Sequence, residues 1–137
     1  MILNEGLENV WKRHHTLASA VWSAVEAWGT GGPMRLNITD PELRSHAVTA
    51  VTVGKPYGTQ LRNWVTANAG ITLGIGLGME TEEDPKSEGY FRIGHMGHVN
   101  SHMVLGTLGT IEAGLRANDI PFGSGALAAA AEICANV

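Results

Sequence analysis

The sequence predicts an α+β fold: a small, mainly antiparallel sheet of three to four strands with helices packed on one face. Three observations carry this. The first 28 residues repeat apolar side chains at helical spacing. Three short runs, beginning near Leu43, Gly70 and Gly89, alternate at strand spacing. The last 38 residues return to helical spacing. Strands clustered between helices, without regular βαβ alternation, pack as one sheet under one helical layer.

Each element has its own signal. From Ile2 to Trp28, Leu3, Leu7, Val10, Trp11, Leu17, Ala18, Val21, Trp22 and Val25 form the stripe of one long amphipathic helix. Glu5 and Glu8 precede Lys12 and Arg13, which suits the helix dipole and gives weak side-chain pairs. "GTGGP", from Gly29 to Pro33, ends it. The β-branched run "LRSHAVTAVTVG" (Leu43 to Gly54) reads as a strand. Pro56 can open the next helix, striped by Tyr57, Leu61, Trp64 and Val65 and stopped between Asn68 and Gly70. In "GITLGIGLG", Ile71, Leu73, Ile75 and Leu77 alternate with Thr72 and glycines, which predicts a strand with one apolar and one bare face. "METEEDPKSEG" is an acidic loop, and "GYFRIG" a further strand. A helix follows over "NSHMVLGTLGTIEAGLRAND", capped by Asn100 or Ser101. After the loop "IPFGSG", "SGALAAAAEICANV" is the last helix, with Ser124 as its cap.

A chain of 137 residues fits one domain, residues 1–137, and can bury about two thirds of its unfolded surface. Charged residues are only 16 % of the chain, against ~25 % in ordinary proteins. That shortage suggests surface meant for a partner, a second domain or a second subunit. A formal net charge of −4 argues against nonspecific binding to nucleic acid or to acidic membranes. No run of 18 apolar residues is present, so no membrane span is predicted, and no secretory signal opens the chain. The single cysteine, Cys134, cannot form an internal disulfide and lies in an apolar helical run, where it reads as a packing residue. A reducing, cytoplasmic setting follows from the same count.

Three constellations could carry chemistry. The glycines of "GIGLG" lack the strand–turn–helix setting of a dinucleotide fingerprint and the Gly-Lys-Ser/Thr of a phosphate loop. They read instead as room for another backbone or side chain to approach the sheet. His95, His98 and His102, spaced by three and four, would share a face on a continuous helix and could ligate zinc. Gly94 and Gly97 break that helix, and no HExxH-type carboxylate is present, so no metal site is assigned. His95 and His98 then bond nearby backbone, and His14 and His15 are a helix-surface pair.

Arg92 is the third. Alternation puts Phe91 and Ile93 on the core face of their strand and Arg92 on the other, just before a glycine turn. A guanidinium is permanently charged and offers a planar fork to a carboxylate or phosphate. Its two readings are an anion site and a salt bridge to an acid such as Glu80 or Glu112.

"EGLENVWKRHHTLASAV", "GITLGIGLG" and "FRIGHMG…LGTLGTIEAGL" together resemble the C-terminal small domain of class V aminotransferases, pyridoxal-phosphate enzymes of fold type I, in particular the alanine–glyoxylate and serine–glyoxylate (serine–pyruvate) group. The resemblance runs along essentially the whole chain. It implies that Arg92 binds the substrate's α-carboxylate, that the substrate is a small amino acid or 2-oxo acid, and that the complete enzyme is a homodimer using pyridoxal 5'-phosphate. It also implies that the Schiff-base lysine, the aspartate facing the pyridine nitrogen and the phosphate loop belong to a large domain whose pattern this sequence lacks. Lys12, Lys55 and Lys86 do not match the cofactor lysine's surroundings. The expectation is therefore a domain without catalytic or cofactor-binding residues of its own, inactive as a transaminase when isolated. The alternative is a non-catalytic small-acid-binding or dimerisation module that kept Arg92.

Overall fold

The computed structural model describes residues 2–135. The chain begins with a helical turn, α1 (Ile2–Glu5), and a long helix, α2 (Leu7–Gly29). Gly6 separates them at φ 82°, ψ 136°, a conformation that favours glycine. The single helix expected from Ile2 is therefore broken at Gly6. The spacing of the apolar residues continues through the break, so periodicity alone could not reveal it.

A three-stranded antiparallel sheet forms next, ordered β1 (Arg35–Leu36), β2 (Val48–Thr52), β3 (Tyr90–Gly94). Between β2 and β3 lies α3 (Tyr57–Ala69), closed by Gly70 in the left-handed region at φ 66°. Two helices follow, α4 (Ser101–Ala117) and α5 (Ala126–Cys134). The Asn100 side chain caps α4 by accepting from the Met103 amide at 3.1 Å. No side chain caps α5: Gly125 stands at its start at φ 93° and Ser124 is exposed, so the expected serine cap is not made. The last two residues of the helix expected there lie outside the described residues.

In the sheet, Val51 pairs with Phe91 and Thr49 with Ile93, and Leu36 faces Val51. These five side chains are buried. Helix α2 lies against β1 and β2 and α3 against β3, while α4 and α5 pack on α2 and on each other. Trp28, Leu17, Val25, Leu61, Leu108 and Phe91 are fully enclosed between the layers. Burying such side chains contributes about 1.5–3 kcal/mol each. Cys134 packs, partly buried, at the margin of this core and carries no disulfide.

The "GITLGIGLG" strand is a correction. Only Gly74 pairs, through one antiparallel bridge to Arg92 at the free edge of β3. Leu73 is buried, but Ile75 and Leu77 are 55 % and 67 % exposed. Glycine has no side chain with which to hold a strand pair, so the alternation did not produce a ladder. The fourth strand is thus a single rung.

Candidate functional site

Arg92 lies on the sheet face opposite the helices. Its neighbours across β2 and β3 on that face, Val48, Ala50, Thr52 and Tyr90, are all half-buried. Arg92 and Gly74 exchange both backbone hydrogen bonds, each 2.9 Å long. Opposed residues of a hydrogen-bonded pair direct their side chains to the same face. The Arg92 side chain therefore runs over the space where Gly74 has none. A Cβ at position 74 would stand 3.1 Å from Arg92 Cβ and 3.3 Å from its Nε. Two residues along, a Cβ at Gly76 would lie 2.6 Å from that of Tyr90. The glycines make room for side chains, as the sequence suggested, but for side chains of this same domain.

Arg92 Nε donates to the Ile75 carbonyl at 2.6 Å. Its Nη1 and Nη2 have no partner among the described residues. The proposed salt-bridge acids do not reach it. Glu112 is engaged by Arg116 at 2.9 Å and by Trp28 Nε1 at 3.2 Å, and Glu80 is exposed without an ion pair to Arg92. The outcome is an arginine held by the backbone with its charged fork open.

The three histidines of "HMGHVNSH" are not brought together. His95 is fully buried. Its Nδ1 faces the His46 carbonyl at 3.2 Å, and a carbonyl only accepts, so Nδ1 carries the proton. Nε2 then accepts from the Thr49 hydroxyl at 2.8 Å, and Thr49 Oγ1 in turn accepts from Trp22 Nε1 at 2.9 Å. Burial, disfavouring the imidazolium, pushes the His95 pKa down to about 4. His98 is exposed in the turn and His102 is exposed on α4. Among the described residues no group of three His, Cys, Asp or Glu side chains is placed to hold a metal ion.

His14 and His15 do more than decorate a helix surface. His14 Nε2 accepts from the Gly97 amide at 3.1 Å, and His15 Nδ1 meets His46 Nε2 at 3.1 Å with the rings edge to face. Arg13 grips Glu5 through two bonds of 2.7 and 3.0 Å and donates from Nη1 to the carbonyls of Gly97 and Val99 at 2.8 and 2.9 Å. The Glu5 carboxylate raises the Arg13 pKa, and Arg13 holds the Glu5 pKa below its ordinary value. The glycine turn after Arg92 is thus tied to the first helices. The sequence suggested only weak pairs among these helix residues; the tie from Arg13 to Gly97 and Val99, more than eighty residues along, has no signal in the spacing.

The lysines stand apart from any enclosed site. Lys12 and Lys86 are exposed, and Lys55 pairs with Glu88 at 3.4 Å. Within the acidic loop, Asp84 accepts from the amides of Glu88 and Gly89, each at 2.8 Å. Burial raises its pKa, but those amides outweigh it and hold the carboxyl below its ordinary value.

No helix is long and apolar enough to cross a membrane among the described residues. No family model matches the chain. It is 36 % identical over 135 residues to the L-aspartate–glyoxylate aminotransferase of Paracoccus denitrificans, a match covering 96 % of this chain and 31 % of that protein. It is 38 % identical over 135 residues to the serine–glyoxylate aminotransferase of Arabidopsis thaliana, covering 94 % and 30 %. The crystal structure of a ureidoglycine–glyoxylate aminotransferase from Bacillus subtilis superposes with a TM-score of 0.78 at 29 % identity, over 96 % of this chain and 32 % of that one. The chain spans about a third of the length of the curated relatives it matches.

Proposed function

The chain is homologous to the C-terminal small domain of the alanine/serine–glyoxylate aminotransferases, and on that premise we propose that it supplies the arginine holding the carboxylate of a small amino acid or 2-oxo acid during amino-group transfer. The observation that carries this reading is the free Nη1/Nη2 fork of Arg92, on a half-buried residue without an acid to neutralise it. Two parallel N–H bonds fix a carboxylate in position and in rotation together. Fixing both removes much of the entropy that an amine and a carbonyl must otherwise lose to react.

Pyridoxal 5'-phosphate, when bound to such an enzyme, supplies the electron sink for the exchange. The residues of this chain do not fit it. A covalent cofactor lysine has to be held in a shielded pocket, whereas Lys12 and Lys86 face solvent and Lys55 is ion-paired. On this reading a large domain outside residues 1–137 carries the cofactor, the complete enzyme is a cytoplasmic homodimer, and residues 1–137 alone do not transaminate.

Titration of the chain with pyruvate, followed by NMR, tests the proposal. Binding is expected in the weak range, on the order of millimolar, for one fork without the rest of a site. It should vanish in Arg92→Ala. Pyruvate binding that survives the substitution, or none to the wild-type chain, would reject the role. Pyridoxal phosphate mixed with the chain should leave no borohydride-trapped adduct at a defined lysine.

A further inference from the structure

Resting on that reading of Arg92, we infer that the Gly74–Ile75 backbone is a positioning device which commits the side-on edge of the Arg92 guanidinium and leaves only its end-on edge for an incoming carboxylate. A guanidinium can grip a carboxylate with two bonds along a side, through Nε–H and one Nη–H, or end-on, through Nη1–H and Nη2–H. Here the Ile75 carbonyl holds Nε–H at 2.6 Å. The side-on mode is already spent.

The device has three parts. The two 2.9 Å bonds between Arg92 and Gly74 fix the segment against β3, so the Ile75 carbonyl has one place to stand. The missing Cβ of Gly74 lets the arginine stem fold over toward that carbonyl, since a methyl there would press on both Cβ and Nε of Arg92. Gly76 lets the segment continue close beside Tyr90. An arginine has several soft torsions, and a free one would sample many fork directions. Taking up Nε with a fixed acceptor removes most of that freedom before any ligand arrives. The isolated bridge, which as a strand stabilises little, thereby sets the direction of approach for a carboxylate. Gly74 and Ile75 are positioning residues: they act through Arg92 and touch no reacting atom.

The Arg92 Nε–H resonance, assigned by its loss in Arg92→Lys, reports the device directly on the full chain with acetate as the probe. Its exchange with water should be about tenfold or more slower than that of Arg35 or Arg116, whose Nε atoms have no partner among the described residues. Acetate should shift the Nη resonances and leave Nε–H protected. In Gly74→Ala the protection should be lost, and the acetate response should weaken several-fold with the rest of the amide spectrum unchanged. Fast Nε–H exchange in the wild-type chain overturns the inference without need of any variant, as does an acetate shift carried by Nε–H. A protected Nε–H in a chain that acetate leaves unmoved keeps the positioning device and rejects the carboxylate role. An Nη shift beside an unprotected Nε–H does the reverse.

Discussion

Thr49 and His95 share a 2.8 Å hydrogen bond in the buried layer where β2 meets the end of β3, and the same Thr49 oxygen takes the indole proton of Trp22 at 2.9 Å. One hydroxyl thus satisfies two groups from two elements. Thr49→Val keeps the shape and removes both bonds, leaving His95 Nε2 unpaired in the interior. Unsatisfied buried groups cost about 1–3 kcal/mol each, so a loss of about 2–3 kcal/mol in urea unfolding is expected. Thr49→Ser should stay within about 1 kcal/mol of the parent.

His95 also sets a pH response. Its folded-state pKa is lowered to about 4 from the ordinary imidazole value of 6.5. Between those values the unfolded chain binds the proton and the folded chain does not. The stabilisation from neutral His95 is therefore complete above about pH 6.5 and declines as the pH falls towards 4, by on the order of 3 kcal/mol. Urea unfolding at a series of pH values should show that slope. His95→Gln, which cannot titrate, should flatten it.

Arg13 predicts a local effect. Arg13→Lys gives up the planar fork that joins Glu5 to the carbonyls of Gly97 and Val99. Amide exchange in the turn from Met96 to Val99 should accelerate about tenfold, while β2 and β3 keep their protection. Uniform acceleration across the domain would refute this.

Asp84 organises the acidic loop by accepting from Glu88 and Gly89. Asp84→Ala should raise amide exchange at both positions and make the loop the first site of proteolytic cutting. Because its folded pKa is lowered, acidification should act in the same direction: the carboxylate's contribution is present above the ordinary aspartate range and is lost as the pH falls through the folded value.

Much of the fold could be read from side-chain spacing. Phe91 and Ile93 against Arg92 gave the core face of β3 and placed Arg92 on the opposite face, because alternation is a local property and the strand has helices on one side only. Of the two caps the sequence offered for α4, Asn100 and Ser101, Asn100 makes the bond, to the Met103 amide. What escaped notice depended on distance or brevity. Strand β1 holds two residues, too few to alternate. His95 became a buried, neutral group through Thr49, 46 residues away, and a turn full of glycines gave no sign of it. Gly74 and Ile75 were read as strand, and the role argued for them rests on one carbonyl direction that no spacing encodes.

The packing of α2 on α5 joins helices far apart in the sequence of this domain. The groove of α2 is filled by a helix that starts at Ala126, about a hundred residues further along the chain. Assembly of the interior must therefore wait for α5, however early α2 coils. Until α5 is in place, the apolar face of α2 that it covers stays open to water.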